Sequence, residues 1–284
     1  LTAPRYRPDR RGKHLEDWRL ERSASAWFLE YRGVPAITDH VLGVLPRAER
    51  VRTLKHDAAW PYRIRMDFEP DSSLNEFMDF LREVLVINIE QKGHLDAAVA
   101  LDFYQRSVRE GSSELVHTET ADLIRLIKGY AAARRAEVDH AGLRLCRSLS
   151  DVVVRHEWFN EATRILPVPG HARDKPSVSV MIGTLLSQEL GIPLTTVESR
   201  SEGRKPAKKM TDRERAALLH EFRIDEDLEG RTVLVLDDIY HTGYTMAGVA
   251  YEAKRSGAKM VLGLAAARNI RRQADSDHWT ARKR

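Results

Sequence analysis

One short segment concentrates the chemistry of this chain: Val233-Leu234-Val235-Leu236-Asp237-Asp238-Ile239-Tyr240-His241-Thr242-Gly243-Tyr244-Thr245. An apolar run ends in two adjacent carboxylates, and a turn with one glycine follows before helical spacing resumes. Carboxylates are poor phosphate ligands but good acceptors for sugar hydroxyls. Gly243 lets the backbone approach an anion closely, and the free amides of a helix opening here point toward it. Thr242 and Thr245 add hydroxyl donors. His241, inside the turn, either donates to a phosphate or simply suits the turn geometry. The segment therefore supplies matched sites for a ribose diol, at Asp237 and Asp238, and for its phosphate, at His241, Thr242, Gly243, Tyr244 and Thr245. A nucleotidase strand also ends in paired acids, but its Gly-x-x-x-x-Gly-Lys-Ser/Thr loop is missing from this sequence.

Such residues need a rigid frame. From Arg164 onward, short apolar runs (Ile165–Val168, Leu194–Val197, Val233–Leu236, Met260–Ala267) alternate with helical stretches at Ser177–Leu190, Asp212–Phe222 and Thr245–Lys254. Continuous apolar strands separated by helices predict an α/β fold, a parallel sheet covered on both faces. In such a sheet, ligands bind beyond the carboxyl ends of the strands. Upstream, the spacing of Trp18, Trp27, Phe28 and Tyr31 predicts a helix over His14–Arg32, while Arg47–Pro70 shows no assignable pattern. Ser73 caps an expected helix carrying Leu74, Phe77, Met78, Leu81, Val84 and Leu85. Further helices are expected over Leu95–Val108, Glu119–Arg134 and Ala141–His156. The polar break Gly111-Ser112-Ser113 divides a mainly helical region, 1–115, from a domain at 116–284.

The strand, the two acids and the Thr-Gly-x-Thr turn resemble the phosphoribosyl-pyrophosphate loop of type I phosphoribosyltransferases. Ile165-Leu166-Pro167-Val168-Pro169 resembles the first strand of the competence-protein ComF-like branch of that family. Lys209-Met210-Thr211-Asp212-Arg213-Glu214-Arg215 resembles its Leu-Ser-x-x-Glu-Arg segment, and Phe222 falls near its usual phenylalanine. With Gly129–Ser150 upstream, the resemblance covers roughly half the chain. The branch's four-cysteine zinc module is absent, Ala207 stands where a glutamine is usual, and Leu218 replaces an asparagine.

The resemblance implies phosphoribosyl pyrophosphate carried with Mg²⁺, which loses pyrophosphate as a nitrogen base attacks the anomeric carbon. No protein side chain is expected to hold the metal directly; it comes with the ligand, near Asp237 and Asp238, which are also the candidate catalytic residues. The transition state has oxocarbenium character, so positioning and charge neutralisation carry the catalysis. Cations for the pyrophosphate are expected from His171, Arg173 and Lys175 after the first strand, and from Arg200, Arg204, Lys205 and Lys208. The last four lie in Ser199–Lys209, whose composition suits either a mobile cover or a plain solvated connector. The expected function is a phosphoribosyltransferase acting on an unidentified base, or binding a nucleoside 5'-phosphate. The alternative is a non-catalytic binding module of the same fold, acting with a partner in DNA uptake, repair or defence.

Composition bounds the rest. A content of 42% hydrophobic and 31% charged residues builds a core with a well-solvated surface. No apolar run approaches the ~20 residues that cross a bilayer, so no membrane partner is expected. The arginine-rich opening lacks the apolar stretch of a secretory signal. Cys146, the single cysteine, excludes an internal disulfide and a multi-cysteine zinc site. A cytoplasmic setting is expected on these grounds, with a homo-oligomer or a protein partner left open. The net charge of +4 gathers at the ends, in Arg5, Arg7, Arg10, Arg11 and Lys13 and in Arg268, Arg271, Arg272, Arg282, Lys283 and Arg284. These clusters are either soluble tails or contacts for nucleic-acid phosphates.

Overall fold

The computed structural model describes residues 15–45, 47–51, 59–87, 94–108, 114–171, 177–201, 203–205 and 209–269. Its first stretch alternates rather than winds. Trp18 and Leu20 face the core while Arg19 and Glu21 face out, the period of two that makes a strand. Strands β1 (Asp17–Arg22) and β2 (Trp27–Arg32) pair as a hairpin, closed where the Ser23 amide donates to the Ala26 carbonyl at 2.9 Å. Helix α1 (Ala36–Val44) and strands β3 (Glu49–Val51) and β4 (Tyr62–Met66) complete an antiparallel sheet in the order β1-β2-β4-β3. Glu30, on the outer face, is covered by Arg19 at 2.6 Å and Arg63 at 3.2 Å from the neighbouring strands. The helix expected over His14–Arg32 is thus a hairpin, and the N-terminal region is not mainly helical.

Helix α2 (Ser72–Glu83) does form, burying Leu74, Phe77, Met78, Phe80 and Leu81. Its cap is Asp71, whose Oδ1 accepts from the Ser73 amide at 2.9 Å, so Ser73 is not the cap. Strands β5 (Leu85–Val86) and β6 (Ala97–Phe103) follow. The helix expected over Leu95–Val108 is overturned here, because every residue of β6 is buried and its alanines fill the sheet interior from both faces. Propensity yields to tertiary packing. A ribbon of β7 (Gln105–Ser107) and β8 (Leu115–His117) leads to α3 (Glu119–Ile127), α4 (Arg135–Arg155) and the single turn α5 (Glu157–Asn160). Helix α3 stops well before Arg134, ended by Gly129 at φ +69°.

The remainder runs β9 (Arg164–Pro167), α6 (Val178–Leu190), β10 (Glu198–Ser199), α7 (Asp212–Ala217), a 3₁₀ turn Leu218–His220, β11 (Phe222–Arg223), β12 (Thr232–Tyr240), α8 (Tyr244–Arg255) and β13 (Met260–Arg268). The sheet order is β5-β6-β13-β12-β9, with the last four parallel and β5 antiparallel at the edge. The strand expected over Leu194–Val197 is a lone bridge from Leu194 to Ile165. The helix expected to reach Phe222 ends at Ala217. Alternate residues of β12 feed two cores. Leu234 and Leu236 belong to the core that also takes in α3, α4, α6 and the N-terminal sheet, whereas Val233 and Val235 belong to the one that takes in α8 and Phe222. Because β5 and β6 belong to this sheet, the division drawn after residue 115 does not follow its edge. Among the described residues no helix is long and apolar enough to cross a membrane.

Candidate functional site

Strand β12 lies inside the sheet, between β9 and β13, and its last residues run past β9, where Leu236 pairs with Pro167. Asp237 and Asp238 therefore stand at the carboxyl end of a central strand, next to the start of the β9–α6 connection. Ser179, in the first turn of α6, ties them together. Its hydroxyl donates to Asp237 Oδ1 at 3.2 Å and accepts from the Asp238 amide at 3.2 Å. The same amide also lies 2.9 Å from Asp237 Oδ1. Lys128, the residue that ends α3, places Nζ 2.6 Å from Asp238 Oδ2, with side chains only 21% and 16% exposed.

The electrostatics follow from this crowding. Burial, then the charge of Asp238, pushes Asp237 up to about 7, although the Asp238 amide, Lys128 and Ser179 all favour its anion. Burial works against the Lys128 ammonium, but the charge and hydrogen bond of Asp238 outweigh it and hold its pKa above the usual lysine value. Like charges in a covered site separate the affinities of neighbouring acids for protons.

The turn after β12 is shaped by one residue. Gly243 has φ +74° and caps α8, and any side chain there would run into the Tyr240 ring and hydroxyl. The opening amides of α8 have no partners within the helix, and the helix start favours negative charge. His241 is exposed, while Thr242, Tyr244 and Thr245 are half-buried around the turn.

The expected cations divide sharply. Arg204 donates to the Pro169 carbonyl at 2.7 Å, lies over the Phe222 ring, and keeps a buried Nε without a hydrogen-bond partner. Burial lowers its pKa, opposed by the charges of Glu221 and Asp237, so it sits within electrostatic reach of the acids. Arg200 instead anchors its loop, donating to the Phe222 carbonyl at 2.8 Å and to Glu252 at 3.0 Å. Lys205 pairs with Glu214 at 2.7 Å. His171 is exposed at the start of the β9–α6 connection, and Arg173, Lys175 and Lys208 lie outside the described residues. The Thr211-x-x-Glu214 pattern is a capping box: Thr211 Oγ1 accepts from the Glu214 amide at 3.3 Å and Glu214 Oε2 from the Thr211 amide at 2.7 Å. Of the basic ends, Arg268 is buried at the close of β13 rather than part of a tail, and the others lie outside the described residues.

Lys128 and Ser179 escaped the sequence reading. A lysine just before a helix-ending glycine is a weak signal, and a serine in a first helical turn reads as ordinary capping chemistry. An apolar groove of about 240 Å³ between α4 and α6, with Gly142, Leu143, Met181 and Leu185 in its walls, borders Lys128 through Ile127. Asp139 is the one charged residue that lines it, so it does not suit a phosphate.

Paired acids thus stand at the end of a strand inside a parallel sheet, followed by a glycine turn and the opening amides of a helix, which defines an α/β domain. Residues 176–282 match the family model of the phosphoribosyl transferase domain. No curated protein matches the chain. Among solved structures it is similar to adenine phosphoribosyltransferase from Leishmania tarentolae, at 15% identity over 69% of this chain and 88% of that one, with a TM-score of 0.37. The adenine phosphoribosyltransferase from Saccharomyces cerevisiae gives 17% identity over 58% and 82%, with a TM-score of 0.35. Phosphoribosylpyrophosphate synthetase from Mycobacterium smegmatis gives 22% over 44% of this chain, which spans 33% of that protein, with a TM-score of 0.31.

Proposed function

We propose that the chain binds phosphoribosyl pyrophosphate and transfers its ribose 5-phosphate to a nitrogen base. The observation that carries this reading is the pair Asp237 and Asp238 at the carboxyl end of β12, one turn before Gly243 and the amides of α8. The acids would accept from the ribose hydroxyls, and the turn from His241 to Thr245 would hold the 5-phosphate. As the bond to pyrophosphate lengthens, positive charge grows on the ribosyl ring, and the nearby carboxylates stabilise it. Arg204, held between Pro169 and Phe222, would supply a cation to neutralise the leaving group. Mg²⁺ enters this reading on the pyrophosphate oxygens, with Asp237 and Asp238 as the carboxylates that would face it. The segments 165–169 and 209–215 favour placing the domain in the ComF-like branch.

A second reading, a binding module without transfer, draws support from the engagement of Arg200 by Glu252 and Lys205 by Glu214, which leaves fewer cations for a leaving pyrophosphate. Calorimetric titration and pyrophosphate release, run with phosphoribosyl pyrophosphate, Mg²⁺ and a panel of bases, separate the two. Asp238→Asn and Thr242→Val should each weaken phosphoribosyl-pyrophosphate binding about ten- to a hundredfold, the worth of one hydrogen bond to a charged group. Thr242→Val should leave the thermal midpoint of the free protein unchanged. Asp238→Asn should also lower transfer at saturating ligand. Unaltered affinity in both variants would show that ribose and phosphate bind elsewhere.

A further inference from the structure

We propose that Lys128 is a latch on the ribose site, its ammonium holding Asp238 in the free protein and swinging away when ribose hydroxyls dock there. The inference rests on the ribose-phosphate reading and adds a residue that the phosphate and ribose motif does not contain. Its first support is competition for acceptors. Asp237 Oδ1 already receives the Ser179 hydroxyl and the Asp238 amide, and Asp238 Oδ2 receives Lys128 at 2.6 Å. A diol that uses Asp238 Oδ2 must exchange with that ammonium or share the oxygen, and the contact is a short charge-assisted one.

The second support is where Lys128 is mounted. It comes from α3, outside the sheet, at the point where the helix has ended and the core anchors Leu123 and Ile124 lie behind it. Gly129 follows at φ +69°, with open space where a side chain would be, and the connector to Arg134 is exposed. The ammonium is thus carried on a flexible stem mounted beyond the helix's core anchors. The third support is charge. A fixed structural ion pair of this partial burial would gain little over a neutral pair of the same shape.

Lys128→Met keeps the stem and removes the ammonium. Ribose 5-phosphate is titrated calorimetrically into the full chain without metal at pH 8.5, above the value of about 7 to which Asp237 is pushed. If the latch must open first, the wild-type affinity is reduced by the fraction open, so Lys128→Met should bind roughly tenfold more tightly. Lys128→Arg, which keeps the charge, should bind no more tightly than wild type. A gain in affinity cannot come from damaged structure. Should Lys128→Met fail to fold, Lys128→Gln is read the same way, since it retains a donor but no charge. Unchanged or weaker binding in the neutral variants, with wild type binding intact, overturns the latch and leaves the ribose reading standing. Failure of wild type and variants alike to bind ribose 5-phosphate overturns the ribose reading and the latch with it.

Discussion

Asp237 is held in a conflict that its neighbours only partly relieve, and the conflict has a measurable sign. Its carboxyl is covered and sits beside Asp238, which raises its pKa to about 7 in the folded protein. Unfolded, it titrates near the ordinary aspartate value of ~3.9. Between these values the folded state holds a proton that the unfolded state has lost, so stability falls as pH rises through that window. Asp237→Asn should therefore stabilise the free protein at pH 8 by about 1–2 kcal/mol, after allowing for partial exposure, and by nothing below pH 4. Thermal unfolding across pH measures this, and a gain that does not depend on pH would mean the acid is not strained. The motif itself was legible in the sequence, because two acids and a glycine turn are local in the chain. Lys128 was not, since helical spacing says nothing about where the end of α3 returns to the sheet.

Among the elements, legibility tracked how far local pattern and final burial agree. Strands β9, β12 and β13 and helices α2, α6 and α8 were readable because their apolar residues run continuously or recur at helical spacing. Strand β6 is hidden in the sequence because Ala97, Ala98 and Ala100 favour helices locally, yet Ala98 pairs with Gly263 of β13, where an added Cβ would lie only 3.0 Å from the Ala98 Cβ. The hairpin of β1 and β2 is hidden in the sequence because the spacing of Trp18, Trp27, Phe28 and Tyr31 imitates a helical face and masks the alternation. Two helical glycines with opposite surroundings test this view of packing. At Gly248 of α8 a Cβ would collide with the Leu218 carbonyl and lie 2.9 Å from the Phe222 ring, so the helix and the 3₁₀ turn touch backbone to backbone. Gly248→Ala should cost about 1–3 kcal/mol by overpacking. At Gly142 of α4 a Cβ would meet only Leu185 Cδ1 at 3.5 Å, an ordinary contact. Gly142→Ala should stabilise by about 0.5–1 kcal/mol through helix propensity. Denaturant midpoints decide both, and equal shifts of one sign would refute the distinction.

Across the whole molecule, buried residues of the N-terminal sheet and of the α/β sheet belong to one core. The join is made by a pair of histidines. His40 of α1 and His156, between α4 and α5, are both buried, with Nδ1 of His40 3.2 Å from Nε2 of His156. Phe77, Phe80, Trp158 and Phe159 surround His156, and its Nδ1 is buried with no hydrogen-bond partner. Burial lowers His40 to about 4, and burial together with His40 lowers His156 well below its ordinary value. Both rings are therefore neutral when folded, while the unfolded chain protonates them near pH ~6.5. Stability from this join is complete above pH ~6.5 and is lost as pH falls toward 4, by roughly 3 kcal/mol for a shift of the size at His40. The loss runs opposite to the gain from Asp237 over the same range, so the two are separated by comparing variants rather than by the wild-type curve alone. His156→Phe suits the aromatic surroundings and removes one titrating ring and the buried orphan nitrogen. Its thermal midpoint should change little at pH 8, where the ring is neutral in both states. From pH 6.5 down to 4.5 it should fall less steeply than that of wild type. A midpoint that falls in parallel with wild type would show that the histidine pair does not set the acid stability of the join.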